Sequence, residues 1–193
     1  MQPDELYRRA VTGDGNSLDE LLARYLPNLH TYVHLRMHGG LRARESSMDV
    51  VQSVCRAALA ERGRFDFRGE ESFRAWLFTT ALNKIRDKHR LHHREARDVR
   101  REESDAAVDA LVANTFLSPS EDAIATERAR AVRQALAALP EDYREVITLA
   151  RIVGLPHRAI AEVMDRSEEA TRHLLTRALA QFTIEMQRLG SQF

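Results

Sequence analysis

Near the C-terminal end of the chain, polar residues recur on one face of a predicted helix. They are Glu169, Arg172, His173 and Thr176, with Arg177 at the edge of the face. In the major groove of DNA, an Arg side chain can bond guanine bidentately or hold a phosphate, and a Glu side chain can accept from the amino group of cytosine. The same pattern is also typical of a solvated polar helix face, so this segment alone leaves both interpretations open.

Local signals divide the region that carries this face into three short helices. Pro140 fits the first turn of a helix, and Gly154 fits a helix end. Pro156 opens the next helix, and Ser167 is suited to cap the last one. These breaks predict a helix-turn-helix. The opposite, core-facing side of its last helix is predicted to consist of Thr171, Leu174, Leu175, Ala178 and Phe182.

Charge is unevenly distributed along the chain, although the formal net charge is zero. Residues 82–101 hold eight Lys and Arg against three Asp and Glu, whereas residues 102–127 hold seven acidic residues and no Lys or Arg. The chain therefore lacks a global field that would attract nucleic acid, and its charge is patterned by segment.

Cysteine content and hydropathy bound the cellular setting. Cys55 is the single cysteine, which excludes an intrachain disulfide and a cysteine-based zinc site. The N-terminus is polar, and no apolar run approaches the ~20 residues that span a membrane. We therefore expect a cytoplasmic protein without membrane insertion.

Helical periodicity persists along the chain and strand signals are weak, which predicts an all-α protein of two helical domains. The first is expected over residues 1–101, with a break at Pro27 among others, and the second over residues 123–193. Residues 102–122 are acidic and include Ser118-Pro-Ser120, which favours a linker.

Three histidines, His30, His34 and His38, share one helix face at a spacing that could hold a metal. No carboxylate or thiol lies near them in that helix, so a solvated or half-buried face is the preferred interpretation and no metal is expected. Glycine-rich phosphate loops, nucleophile elbows and paired catalytic carboxylates do not occur, so neither an enzyme active site nor a cofactor is predicted.

Motifs in the first hundred residues add to the evidence from the helix-turn-helix. They are Asp49-Val-Val-Gln52, the loop from Arg64 to Ser72, and Phe73-Arg-Ala-Trp-Leu77. Together with the helix-turn-helix, they resemble the extracytoplasmic-function type of bacterial RNA polymerase sigma factor, of the sigma-70 family. The resemblance covers nearly the whole chain, with sigma region 2 first, then a short linker, and sigma region 4 last.

The resemblance implies a transcription initiation factor that binds core RNA polymerase and promoter DNA and has no catalysis of its own. Asp49, Val51 and Gln52 would contact the clamp helices of the largest polymerase subunit, and the flap of the second-largest subunit is a further expected partner. An anti-sigma factor is another candidate partner. The acidic segment would pass through polymerase channels lined for nucleic acid, or serve only as a solubilising tether.

The resemblance assigns the loop and helix that end at Arg90 to the melted −10 promoter element. Exposed aromatic rings can stack unpaired bases, and basic side chains can hold the displaced strand. Two simpler interpretations stand beside this one: Trp76 can be mainly a core residue with Phe73 and Leu77, and Asp87 can pair locally. The candidate contacts are Arg64, Phe65, Phe67, Arg68, Trp76, Asn83, Lys84, Asp87, Lys88 and Arg90.

The last helix would read the −35 element as duplex DNA. Its candidate contacts are Ser167, Glu169, Arg172, His173, Thr176 and Arg177, with Arg158 on the preceding helix holding a phosphate. Two other classes remain open from the sequence. A dimeric helix-turn-helix regulator would bind a palindromic site, and a helical adaptor would act without reading DNA.

Overall fold

In the computed structural model, the chain is described over residues 3–12, 14–37, 39–42, 44–61, 69–92, 105–116 and 122–190. Every regular element in these ranges is a helix, which confirms the all-α prediction. The chain divides into two compact units, Met1–Glu103 and Ser104–Phe193. Among the described helices, none combines the length and apolar character that crossing a bilayer requires.

The described residues of the first unit form three longer helices and two shorter ones, and the shorter ones come directly before and directly after the first of the longer helices. The carboxylate of Asp14 caps the second helix, accepting from Asn16 N at 3.2 Å and from Ser17 Oγ at 2.8 Å. The hydrogen bond from Ser17 lowers the pKa of the Asp14 carboxyl. The helices are α1 (Pro3–Val11), α2 (Gly15–Arg36), α3 (Gly39–Arg42), α4 (Ser47–Ala60) and α5 (Glu70–His92).

The predicted break at Pro27 is wrong, because α2 continues through it. Proline removes one backbone donor and normally kinks a helix. Here the ring lies on the exposed side of α2, where water can satisfy the freed carbonyl, while Leu22 and Leu29 are buried on the other side. Packing of the apolar side of α2 therefore outweighs the local preference of proline.

The core of the first unit lies where α2, α4 and α5 meet. Tyr32 of α2 and Phe78 of α5 pack edge to face, with ring centroids 5.3 Å apart and planes at 86°. Val50 and Val54 of α4 are fully buried. This packing holds the outer faces of α4 and α5 in fixed positions.

In the second unit, the residues that the structure describes form five α-helices and one π-helical turn. Its core is formed by apolar residues such as Val132, Val146 and Ile160, all fully buried. Buried Arg144 donates to the carbonyls of Leu136 and Leu139 at 3.0 Å each, and so satisfies the end of a helix. The elements are α6 (Ala106–Phe116), α7 (Asp122–Ala138), α8 (Glu141–Thr148), the π turn (Leu149–Val153), α9 (His157–Met164) and α10 (Glu168–Gly190).

The structure differs from the predicted linker, because α6 lies inside residues 102–122. Asp105 caps α6 by accepting from Ala107 N at 3.0 Å. Asp109, 5% exposed, pairs with Arg133 of α7 at 2.9 Å. Phe116 packs on Phe182 of α10, with ring centroids 5.5 Å apart. Two of the carboxylates that suggested a linker therefore stabilise a packed helix.

Candidate nucleic-acid interface

The second unit contains the predicted helix-turn-helix. The π turn ends at Gly154, whose φ of 73° suits glycine, and Leu155 N then donates to Leu149 O at 3.0 Å. Pro156 precedes α9, and Asp165 ends it in the left-handed region at a φ of 52°. The predicted breaks therefore occur where the local signals lie.

The turn between α9 and α10 is held by residues that the sequence analysis did not select. Arg166, in the turn, pairs with Asp142 at the start of α8 at 2.5 Å. These residues are 24 positions apart, so no local pattern indicates their contact. Because the pair ties the turn to α8, it helps to orient the helix that follows.

Ser167 caps α10, as its sequence position predicts. Its Oγ accepts from Ala170 N at 3.1 Å, and its carbonyl accepts from buried Thr171 Oγ1 at 3.0 Å. Ser167 was also a candidate −35 contact. The structure gives its hydroxyl oxygen a capping role within the chain.

The two faces of α10 separate as the helical spacing predicts. Thr171, Leu174, Leu175 and Ala178 are buried, and Phe182 is half-buried. The opposite face is exposed, and its members are the −35 candidates Glu169, Arg172, His173, Thr176 and Arg177. The structure thus brings these five residues together on one accessible surface, which we call the α10 polar face.

Carboxylates lie one helical turn from several basic side chains of this region. Arg172 Nη2 lies 2.5 Å from Glu168 Oε1, and His173 Nε2 lies 3.9 Å from Glu169 Oε1. On α9, Arg158 pairs with Glu162 at 3.6 Å. All are i, i+4 pairs on exposed surface, where they add little stability but bias the orientation of the side chains.

The outer face of α5 carries the described −10 candidates. Asn83, Asp87 and Arg90 are exposed, and Lys84 is half-exposed. Asp87 pairs with Arg90, as the local alternative proposed. The side chain of Lys88 is instead bonded to Glu45, which precedes α4, so in this structure it is occupied within the unit.

Trp76 is half-buried beside fully buried Phe73, with ring centroids 6.3 Å apart. This supports packing as a large part of its role.

The start of α5 is fixed to α2 by a hydrogen bond from Tyr25 to Glu70. Burial raises the pKa of the Tyr25 hydroxyl, and the bond to Glu70 raises it further. Arg64, Phe65, Phe67 and Arg68 lie outside the described residues.

The polymerase-contact candidates on α4 do not share one face. Asp49 and Gln52 are exposed, but Val51 is 1% exposed and belongs to the core. The structure thus removes Val51 from the surface, because Val51 is buried, as are Val50 and Val54. Two exposed apolar residues that sequence reasoning missed, Met48 and Leu59, lie on the outer side of α4. Met48 and Leu59 are spaced so that they share the helix side of Gln52, and this spacing is the sequence signal that could have indicated them.

The histidine face of α2 is partly structural. His30 Nε2 lies 2.8 Å from Ser47 Oγ, and His34 is buried within the first unit. His38 lies outside the described residues. The single cysteine, Cys55, is half-buried, and this burial raises the pKa of its thiol.

Comparisons with protein families match both units. A model described as Sigma-70 region 2 matches residues 21–95, and a model described as Sigma-70, region 4 matches residues 129–182. The first match covers α4 and α5, and the second covers the helix-turn-helix. A helix-turn-helix regulator independent of sigma activity is therefore not favoured, because it gives no reason for the region 2 match.

Relatives that match over most of their length agree with these matches. The chain is 31% identical to the ECF RNA polymerase sigma factor ShbA of Streptomyces griseus, over 91% of this chain and 90% of that protein. It is 29% identical to the ECF RNA polymerase sigma factor SigD of Mycobacterium tuberculosis, over 97% of this chain and 85% of that protein.

Solved structures share the fold. CnrH, solved in complex with the cytosolic domain of CnrY, matches with a TM-score of 0.62 and 24% identity, over 96% of this chain and 97% of that one. RpoE of Bartonella quintana, solved with the anti-sigma factor NepR, matches with a TM-score of 0.67 and 19% identity, over 88% of this chain and 96% of that one. The chain therefore belongs to the extracytoplasmic-function sigma factors of the sigma-70 family, which are transcription initiation factors.

Proposed function

We propose that this sigma factor divides its tasks among three faces. The α10 polar face reads the −35 element as duplex DNA. The outer face of α5, with the segment before it, captures melted −10 DNA. The exposed side of α4, through Asp49 and Gln52, binds the clamp helices of core RNA polymerase.

The observation that carries the DNA assignment is the α10 polar face itself. Its five members are polar, exposed and supported by a buried row on the other side of the same helix. DNA interfaces are polar and hydrated, and base edges are read by side chains such as Arg and Glu. A helix-turn-helix presents its second helix in this way.

The α4 face has a different composition, which favours a protein partner. Met48 and Leu59 are 47% and 43% exposed, and polar Asp49 and Gln52 lie beside them. Protein interfaces combine an apolar centre with a polar surround. We infer that Met48 and Leu59 replace Val51 in the contact with polymerase, because Val51 is buried.

The −10 assignment rests on a narrower set of residues. Asn83, Lys84 and Arg90 offer donors to a displaced strand, and Asp87 orients Arg90 through their ion pair. Lys88 contributes only if DNA outcompetes Glu45. We retain Trp76 as a contact through the part of its ring that stays exposed.

The folded α6 changes the expected domain limits. We infer that the tether between the −10 and −35 domains ends before α6, and that α6 belongs to the −35 domain. Its buried Val108 and Val112 and the Asp109–Arg133 pair support this division. The residues that remain for the tether still include Glu102 and Glu103.

Other properties follow from this proposal. The polymerase performs the chemistry, so the sigma factor needs neither catalysis nor a cofactor, and it works in the cytoplasm where the polymerase acts. Region 4 would also contact the flap of the second-largest subunit. Because two structures of the same fold were solved with a partner protein, one of which is named an anti-sigma factor, we propose an anti-sigma partner here as well.

The test is run-off transcription with core polymerase on templates randomised separately at the −35 and −10 positions. Arg177→Ala should weaken selection at −35 positions only, and Asn83→Ala should weaken selection at −10 positions only. Gln187→Ala, at an exposed position of α10 beyond the polar face, is the matched control and should change neither. If Arg177→Ala and Asn83→Ala both leave selection unchanged, the assignment of faces is refuted.

A further inference from the structure

The first turn of α10 contains an ion pair placed directly beside the polar face. Glu168 is the first residue of α10, immediately after the capping Ser167, and Arg172 follows one turn later. Arg172 Nη2 donates to Glu168 Oε1 at 2.5 Å. The two side chains remain 60% and 44% exposed, respectively, so the pair faces solvent or a ligand and not the core.

A guanidinium has five N–H donors in a fixed plane, and one carboxylate oxygen occupies only part of that fork. The donors left over can still reach the O6 and N7 atoms of guanine, which is the most common specific contact of arginine in the major groove. A carboxylate that holds one end of the guanidinium therefore selects its plane and direction before DNA arrives. Exclusion of water in the groove would strengthen this hold.

We propose that Glu168 is a positioning residue that orients Arg172 toward one guanine of the −35 element. This inference rests on the proposed reading of −35 DNA by the α10 polar face. Glu168 itself makes no base contact in this account. It acts through Arg172, and it lies outside the set of −35 contacts that the sequence indicated.

Two other arginines provide comparisons within the same unit. Arg177 lies on the α10 polar face and has no carboxylate partner among the described residues. Arg158 has an i, i+4 partner, Glu162, but at 3.6 Å and on the preceding helix, with both side chains more than 70% exposed. Of these three arginines, Arg172 is the one that combines a place on the polar face with a close carboxylate, so Glu168 should affect one base position.

Glu168 has a simpler possible role, since a carboxylate near a helix N-terminus interacts favourably with the helix dipole. The two roles can be distinguished by removing the charge of Glu168 and measuring DNA affinity and base preference. Removing an acidic side chain next to phosphates should raise general DNA affinity, because phosphate contacts are electrostatic. Loss of discrimination at one guanine together with unchanged or higher general affinity is therefore specific to positioning.

The experiment uses the whole chain of 193 residues with core polymerase and a template library randomised at the −35 positions. Arg172→Ala should reduce preference for one guanine about tenfold. Glu168→Ala should reduce preference for that same guanine by roughly threefold to tenfold, since Arg172 remains but is no longer held. Glu168→Gln keeps an acceptor oxygen and should fall between Glu168→Ala and the parent.

Double substitution of Glu168 and Arg172 should be no worse than Arg172→Ala alone, because both act on one contact. Glu162→Ala, the matched control on α9, should leave the base preferences unchanged. Circular dichroism of each variant checks that α10 stays folded.

The proposal is overturned if Glu168→Ala leaves preference at the Arg172-dependent guanine intact, or lowers preference at all positions equally. It is also overturned if Arg172→Ala changes base preference at none of the −35 positions. In that case, Arg177→Ala separates two explanations. If Arg177→Ala also leaves base preference at the −35 positions unchanged, the −35 assignment itself is wrong. If Arg177→Ala does change that preference, the failure is confined to Arg172.

Discussion

Substitution of Asp109 by alanine should destabilise the second unit, although Asp109 lies in a segment whose composition suggests a linker. Its carboxylate is 2.9 Å from Arg133 Nε, and the two side chains are only 7% and 16% exposed. Removing one partner of a buried ion pair leaves the other charge desolvated and uncompensated, which costs about 3 kcal/mol. With a urea m-value of about 2 kcal/mol per molar, the midpoint of unfolding falls by about 1.5 M.

Two spectroscopic probes can assign this loss to one unit. Trp76 is the single tryptophan, so its fluorescence reports on the first unit, while circular dichroism reports on the helices of both. Asp109→Ala should shift the part of the dichroism transition that belongs to the second unit. The free energy of unfolding obtained from fluorescence should stay within about 0.5 kcal/mol of the parent value, as expected for a distant substitution.

Three variants control for other causes of the loss. Glu127→Ala removes an exposed carboxylate from the neighbouring α7 and should be nearly neutral. Arg133→Met should destabilise as Asp109→Ala does, and the double variant should recover part of the loss because no buried charge is left unpaired. A stabilising role of the Asp109–Arg133 pair in the second unit is refuted if Asp109→Ala behaves like Glu127→Ala, or if Asp109→Ala shifts the fluorescence transition instead.

Three further predictions concern local features of the fold. Gly154→Ala should cost about 1 kcal/mol in thermal unfolding of the second unit, because φ is 73°; a neutral result would contradict this conformation. Ser167→Ala should cost about 1 kcal/mol by the same measurement, since the α10 cap is lost, and an unchanged melting temperature would argue against the cap. Tyr25 has its pKa raised in the fold, so the folded form holds the proton more tightly and wild-type stability should decline as the pH rises above about 10. Tyr25→Phe should reduce that alkaline decline, measured by urea unfolding followed through Trp76; an equal decline would contradict the prediction.

Much of the second unit follows from its sequence because its signals are local. Gly154, Pro156 and Ser167 each have a conformational or capping preference that acts within a few residues, and helix ends occur at all three. The two sides of α10 follow from helical spacing alone. Patterns of this kind need no knowledge of which other element lies nearby.

The differences arise where a distant partner decides the outcome. The acidic composition around Asp109 indicates a linker, but Arg133, 24 residues away, neutralises this carboxylate inside a packed helix. Lys88 belongs to a basic block suited to DNA, but Glu45, 43 positions earlier, binds it. Val51 sits within a family-like motif, and two adjacent valines do not show by themselves that both are buried. Tertiary contacts of this type cannot be deduced from spacing.

The most direct test of the central claim is initiation by purified core polymerase, with and without this chain, on a promoter library whose used templates are then sequenced. We expect chain-dependent initiation at a shared two-part motif, and weak binding to the same DNA by the chain alone, because the net charge of the chain is zero. Failure of initiation with folded chain and polymerase from the same source, together with tight binding of the isolated chain to a palindromic site, would contradict it.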